Sequence, residues 1–173
     1  MKPNSAWMQA ILPLFRMHTQ QFDNALRDIK DEDALVRIEG RTNHITWMVG
    51  NLVNCRYWLA NVLGMPHKDP YEDLFNLAKA LDPQAQYPDL ATLKKEWHTI
   101  SPLVFRELQQ VTDAKLGEAY PFGMNVDFIE ENRLNMTGLS LDRESYLLGQ
   151  LGFMRRILGY EGVKYDINKE LSY

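Results

Sequence analysis

The sequence predicts an all-α fold, a four-helix bundle with a long crossover connection between its second and third helices. Two observations carry that expectation. Four long segments repeat apolar side chains at spacings of three and four, the stripe through which a helix buries one face. Between the second and third of these, residues 65–88 contain Pro66, Pro70, Pro83 and Pro88, a connection long enough to cross the bundle. No internal repeat, low-complexity tract or Gly/Ser-rich linker divides the chain, so residues 1–173 are expected to form a single domain.

The first segment, residues 5–29, sets Trp7, Ile11, Leu14, His18, Phe22, Ala25 and Ile29 on one face. Pro13 lacks a backbone donor, so the helix is expected to kink there or to start near it. The second runs from an N-cap at Thr42 or Asn43 to Gly64, a good stop before Pro66. It is apolar on more than one side (Ile45, Met48, Val49, Leu52, Leu59, Val62), which predicts burial among several neighbours. One helical turn is expected in the connection, around residues 74–81. The third helix spans residues 89–112, with Leu90, Leu93, Trp97, Ile100, Val104 and Leu108 as its stripe and Pro102 as a perturbation. Residues 113–135 read as irregular with a short extended piece, and Glu130-Glu131 within them as a solvated pair. The fourth helix is expected over residues 139–158, striped by Leu139, Arg143, Leu147, Leu151, Met154 and Leu158, before a tail from Tyr160.

Composition narrows the partners. A net charge of -4 argues against a chain that grips phosphate backbones, and the pairs Lys94-Lys95 and Arg155-Arg156 are too short for a nucleic-acid patch. The lone Cys55 excludes an intrachain disulfide and points to a reducing, cytoplasmic setting. No leader-like h-region and no run of about 18 apolar residues is present, so no membrane partner is expected. Phosphate-cradling loops, a nucleophile elbow and an HExxH pattern are all missing from the sequence.

Two stretches resemble the signature regions of the DinB/YfiT-like family: GRTNHITWMVGNLVNCRYWLANVLG from Gly40 to Gly64, and RESYLLGQLGFMRRILGYEGVKY from Arg143 to Tyr165. YPDLATLKKEWHTI, from Tyr87 to Ile100, is similar to the start of that family's third helix. The resemblance implies the four-helix bundle and a metal held by three histidines, one in W-x-x-G-H-L and two in H-E-x-Y-H-x-G-Q. Histidines at i and i+4 project from one helix face about 6 Å apart and can share an ion with a third from a facing helix.

Here Trp47-Met48-Val49-Gly50-Asn51-Leu52 places Asn51 at the first ligand position, and Arg143-Glu144-Ser145-Tyr146-Leu147-Leu148-Gly149-Gln150 places Arg143 and Leu147 at the others. An amide, a guanidinium and an alkyl group make no such site, so neither metal nor other cofactor is expected. Arg143 has two readings: it bonds Asn51 and a carboxylate or bound anion inside the bundle, or it snorkels to water. His18, His44, Glu144 and Gln150 are the possible neighbours of this position. The bland reading of His18 is a buried, hydrogen-bonded histidine; His67 and His98 read as surface residues, and Cys55 as inert core.

The leading functional reading is a non-enzymatic module that binds a small anionic or amphipathic ligand near Asn51 and Arg143, in a homodimer of the kind its apparent relatives form. The alternative is a metal-dependent thiol transferase or hydrolase with a rearranged site drawn from His18 or His44 and Glu144.

Overall fold

The computed structural model describes residues 2–173, and among them the chain is all-helical, with seven α-helices and no strand beyond one isolated bridge. Four helices are long: α1 (Met8–Ala25), α3 (Ile45–Val62), α5 (Leu90–Gln110) and α7 (Arg133–Ile157). Three are single turns: α2 (Asp31–Ala34), α4 (Glu72–Phe75) and α6 (Asp113–Leu116). The long helices pack in a ring, with α3 against both α5 and α7 and α1 against the same two. None of the described helices is long and apolar enough to cross a membrane.

Capping side chains, more than apolar stripes, set where the long helices begin. α3 starts at neither Thr42 nor Asn43. His44 is its N-cap, with Nδ1 accepting from the Trp47 N–H at 3.0 Å. The Thr42 hydroxyl is spent on the Ile38 N–H at 2.9 Å, which closes the turn before the helix. α5 begins as expected behind Asp89, whose carboxylate accepts from the Thr92 N–H at 2.7 Å. α7 begins at Arg133, six residues before the stripe predicts, because Asn132 caps the Asn135 N–H at 2.9 Å. α1 is shorter than its stripe, running from Met8 to Ala25 with Pro13 inside it. It is capped at Leu26, and the chain turns away at Asp28, whose left-handed φ of 64 the stripe cannot register.

α3 is the central element, as its broad apolar surface predicts: fifteen of its eighteen residues are buried, so every face meets a neighbour. The α1 and α5 stripes meet it in the core, where Phe22 stacks on Trp97 at 4.3 Å between ring centroids. The connection 65–88 folds back over α3 through α4 and a 3-10 turn, Asn76–Ala78. Gly50 makes that possible. A Cβ there would lie 2.0 Å from Cζ of Phe75, so the phenyl ring seats directly on the glycine.

In residues 113–135 the extended piece is an antiparallel bridge between Ala119 and Asn132, with Tyr120 N–H donating to the Glu131 carbonyl at 2.7 Å. Glu131 is not simply solvated. Its carboxylate accepts from the backbone N–H groups of Phe122, Gly123 and Met124 at 2.6, 2.9 and 2.6 Å, and these bonds hold its pKa below the usual range.

Candidate functional site

A cavity of about 380 Å³ opens between α3, α7 and two loops. Its α3 wall is Asn51, Asn54, Cys55 and Trp58, residues that spacings of three and four bring to one face. Leu139 and Arg143, one turn apart on α7, form the facing wall. Phe122 and Met124 close one side, on the loop that Glu131 ties down. The 3-10 turn closes the other, with Leu77 and Ala78 both held at φ 52. A left-handed conformation costs a non-glycine residue about 1–2 kcal/mol, so neighbours must hold it. Trp47 supplies one such hold, its Nε1–H donating to the Lys79 carbonyl at 3.1 Å.

The cavity wall is therefore mainly aromatic and aliphatic, and among its described residues Arg143 carries the one charge. The Arg143 guanidinium lies over the Tyr146 ring, 5.6 Å from the centroid, and forms no salt bridge among the described residues. Asn51, buried beside it, spends its amide donor on the Trp47 carbonyl at 3.2 Å. The Arg143–Asn51 hydrogen bond expected at the amide oxygen is not formed among the described residues: Asn51 bonds its own helix through Nδ2, and the Arg143 guanidinium lies over Tyr146 on its own helix. Burial pushes the Cys55 thiol up to about 12, Glu144 adding to the rise and Arg143 and Arg56 opposing it. A thiol so held stays protonated and is a poor nucleophile.

Behind the α7 wall lies a second polar arrangement, buried in the core except at one end. Arg56 on α3 donates to Glu144 on α7 through Nε at 2.5 Å and Nη2 at 3.0 Å, and neither side chain is exposed. The guanidinium is sandwiched between Phe15 and Trp97, 3.6 and 4.0 Å from their centroids, and also donates to Thr19 Oγ1 at 3.3 Å. Burial lowers the Arg56 pKa and the Glu144 carboxylate opposes that fall. His18 on α1 completes the cluster: Nδ1 meets Glu144 Oε2 at 2.9 Å, and Nε2 meets Ser145 Oγ at 3.0 Å.

Of the residues singled out in the sequence, the structure brings Asn51 and Arg143 to one cavity and His18 to Glu144. It separates the rest. Leu147 is fully buried in the hydrophobic core and does not line the cavity. His44 is occupied as the α3 cap, twelve residues and about 18 Å along the helix from Arg56, the partner of Glu144. Gln150, half-buried, lies about 10 Å along α7 from Arg143 and outside the cavity wall. His98 is no free surface residue, since Nε2 meets Asp23 Oδ1 at 2.9 Å and Nδ1 meets the Tyr173 hydroxyl at 3.0 Å. Arg56 and Ser145 were not legible as site residues. Arg56 did leave a signal, a lone cation inside an otherwise apolar helix, which demands a buried partner.

The donor set does not fit the metal that the resemblance implies. A single neutral amide oxygen, a guanidinium that only donates and a core leucine supply no ligand triad. Among the described residues, no three His, Cys, Asp or Glu side chains group closely enough to hold an ion.

Compared with known proteins, the chain matches no family model and no curated sequence.

Proposed function

We propose that this chain is a four-helix bundle of the DinB/YfiT-like type, with the 65–88 connection as its crossover, that has exchanged the metal site for a pocket binding a small amphipathic carboxylate. The observation that carries this reading is the pairing, in one cavity of about 380 Å³, of apolar walls with a single cation free of any protein carboxylate. Cavities of that size suit small molecules, and one or two fixed polar groups orient them. A carboxylate head bonded in two-pronged fashion to Arg143 would leave its alkyl tail against Trp58, Phe122, Met124 and Leu139.

The framework residues of the resemblance then have a role that outlives the metal. Trp47 anchors the strained turn and Gly50 seats Phe75 beneath it, so both build the roof of the pocket. A cytoplasmic setting belongs to the same proposal, as does a homodimer, for which the 60% exposure of Trp7 and 66% exposure of Phe153 are the support. The alternative of a metal-dependent transferase or hydrolase finds less support: His18 does meet Glu144 at 2.9 Å, but among the described residues no third His, Cys, Asp or Glu joins them closely enough to hold an ion, and His44 stands apart.

Thermal unfolding with a series of straight-chain carboxylates, each beside its matched alcohol, tests the reading. Carboxylates of intermediate length should raise the midpoint and the alcohols should raise it less. Equal effects of the two series, or none, would remove the role given to Arg143.

A further inference from the structure

Ser145, His18 and Glu144 are connected in the order of a nucleophile, a base and an orienting carboxylate. Ser145 Oγ lies 3.0 Å from His18 Nε2, and His18 Nδ1 lies 2.9 Å from Glu144 Oε2. The proton positions follow from the neighbours. Glu144 faces two donor groups of Arg56 and, ionised, can only accept, so His18 Nδ1 must carry a proton. In the neutral imidazole Nε2 is then an acceptor, and it takes the hydroxyl proton of Ser145. This is the arrangement that activates a serine, recognised by geometry and roles on unrelated folds.

Access agrees with the chemistry. Glu144 is fully buried, yet the next residue, Ser145, is exposed and lines a groove of about 430 Å³ between α1, α7 and the tail. A helical side chain covers the surface over the preceding turn, so residue 149 would cover Ser145. It is glycine, and a Cβ there would meet nothing within 4 Å. The groove lies on the opposite side of α7 from Arg143, so it is separate from the pocket proposed above.

We propose that Ser145 and His18 form a metal-free acyl-transfer site for small carboxylic esters, with Glu144 and Arg56 as positioning residues. Ser145 Oγ attacks the ester carbonyl while its proton passes to His18 Nε2. The C–O bond to the leaving alcohol breaks, and that oxygen takes the proton from Nε2. Water then attacks the acyl carbon, its proton going to Nε2; the Oγ–C bond breaks, Ser145 recovers the proton, and the acid leaves. Gln21 lines the same groove, and its side-chain amide is the donor offered to the oxyanion.

The test uses p-nitrophenyl butyrate for turnover and a fluorophosphonate for covalent labelling, the adduct being located by peptide mass spectrometry. The label should fall on Ser145. Ser145→Ala should lose the label and slow turnover on the order of 100-fold, and His18→Gln should do the same. Because His18→Gln disturbs a buried contact, Gly149→Leu supplies the second arm: it should block label and turnover with an unfolding midpoint no lower than that of the wild type. A label on another residue, no label at all, wild-type turnover in Ser145→Ala, or undiminished labelling in Gly149→Leu would overturn the proposal.

Discussion

Arg56 and Glu144 face each other across α3 and α7 in a two-pronged ion pair, 2.5 and 3.0 Å long, with neither side chain reaching solvent. Two charges taken out of water cost several kcal/mol each, and here each is answered several times over. The guanidinium has Glu144, the Thr19 hydroxyl and two aromatic faces; the carboxylate has Arg56 and His18. Removing one partner leaves the other buried without its ion pair, holding only the weaker contacts. Arg56→Met should therefore cost about 3–5 kcal/mol of unfolding free energy. The double variant Arg56→Met/Glu144→Leu, which strands no charge, should recover a large part of it. Chemical denaturation of Arg56→Met, Glu144→Leu and the double variant gives the coupling, and additive losses would show that the pair does not act as a unit.

His44 makes stability depend on pH. Its ring is buried at the α3 start, edge-on to Tyr87, and accepts the Trp47 N–H through a lone pair that protonation would remove. Burial, with the nearby Arg37 charge, lowers its pKa from 6.5 to about 4. Between those values the unfolded chain binds the proton and the folded chain does not, so stability falls as pH drops from 6.5 towards 4 and is constant on either side. His44→Asn keeps a good cap and removes the titration. The stability difference between wild type and variant should shift against the wild type across that window, on the order of 1 kcal/mol after solvent screening. Urea midpoints measured from pH 7 to pH 4 would show it; parallel pH profiles would refute it.

Gly50→Ala isolates the contact beneath the cavity roof. Alanine is the better helix former by about 1 kcal/mol, yet its Cβ would stand 2.0 Å from the Phe75 ring. Overpacking of this kind costs about 1–3 kcal/mol. The variant should be less stable than wild type, and the penalty should shrink when Phe75→Leu is added. A penalty unchanged in that background would mean that Phe75 is not what the glycine accommodates.

Much of the helical architecture was legible because burial periodicity survives in the sequence: α3 and α5 lie where their stripes and stops put them. The errors fall where a polar side chain or a single backbone dihedral decides. Asn132 starts α7 early, Asp28 turns the chain away just past α1, and His44 caps α3 in place of its neighbours. The site was legible in part. Asn51 and Arg143 were placed together by the motif positions of the resemblance, whereas Leu147, assigned to the same site, falls on the core side of α7. Arg56 and Ser145 gained their roles from elements distant in sequence, and Glu131 from a loop that folds back on it from Phe122 to Met124; no residue spacing encodes such meetings.

The central claim is that Arg143 holds the head of an amphipathic carboxylate, and calorimetric titration of octanoate into wild type and Arg143→Met tests it most directly. A charge-assisted bond of about 1.5–3 kcal/mol predicts that the variant binds roughly tenfold or more weakly, while octan-1-ol binds both alike. Equal octanoate affinity in the two proteins, or no binding to the wild type, would contradict the account.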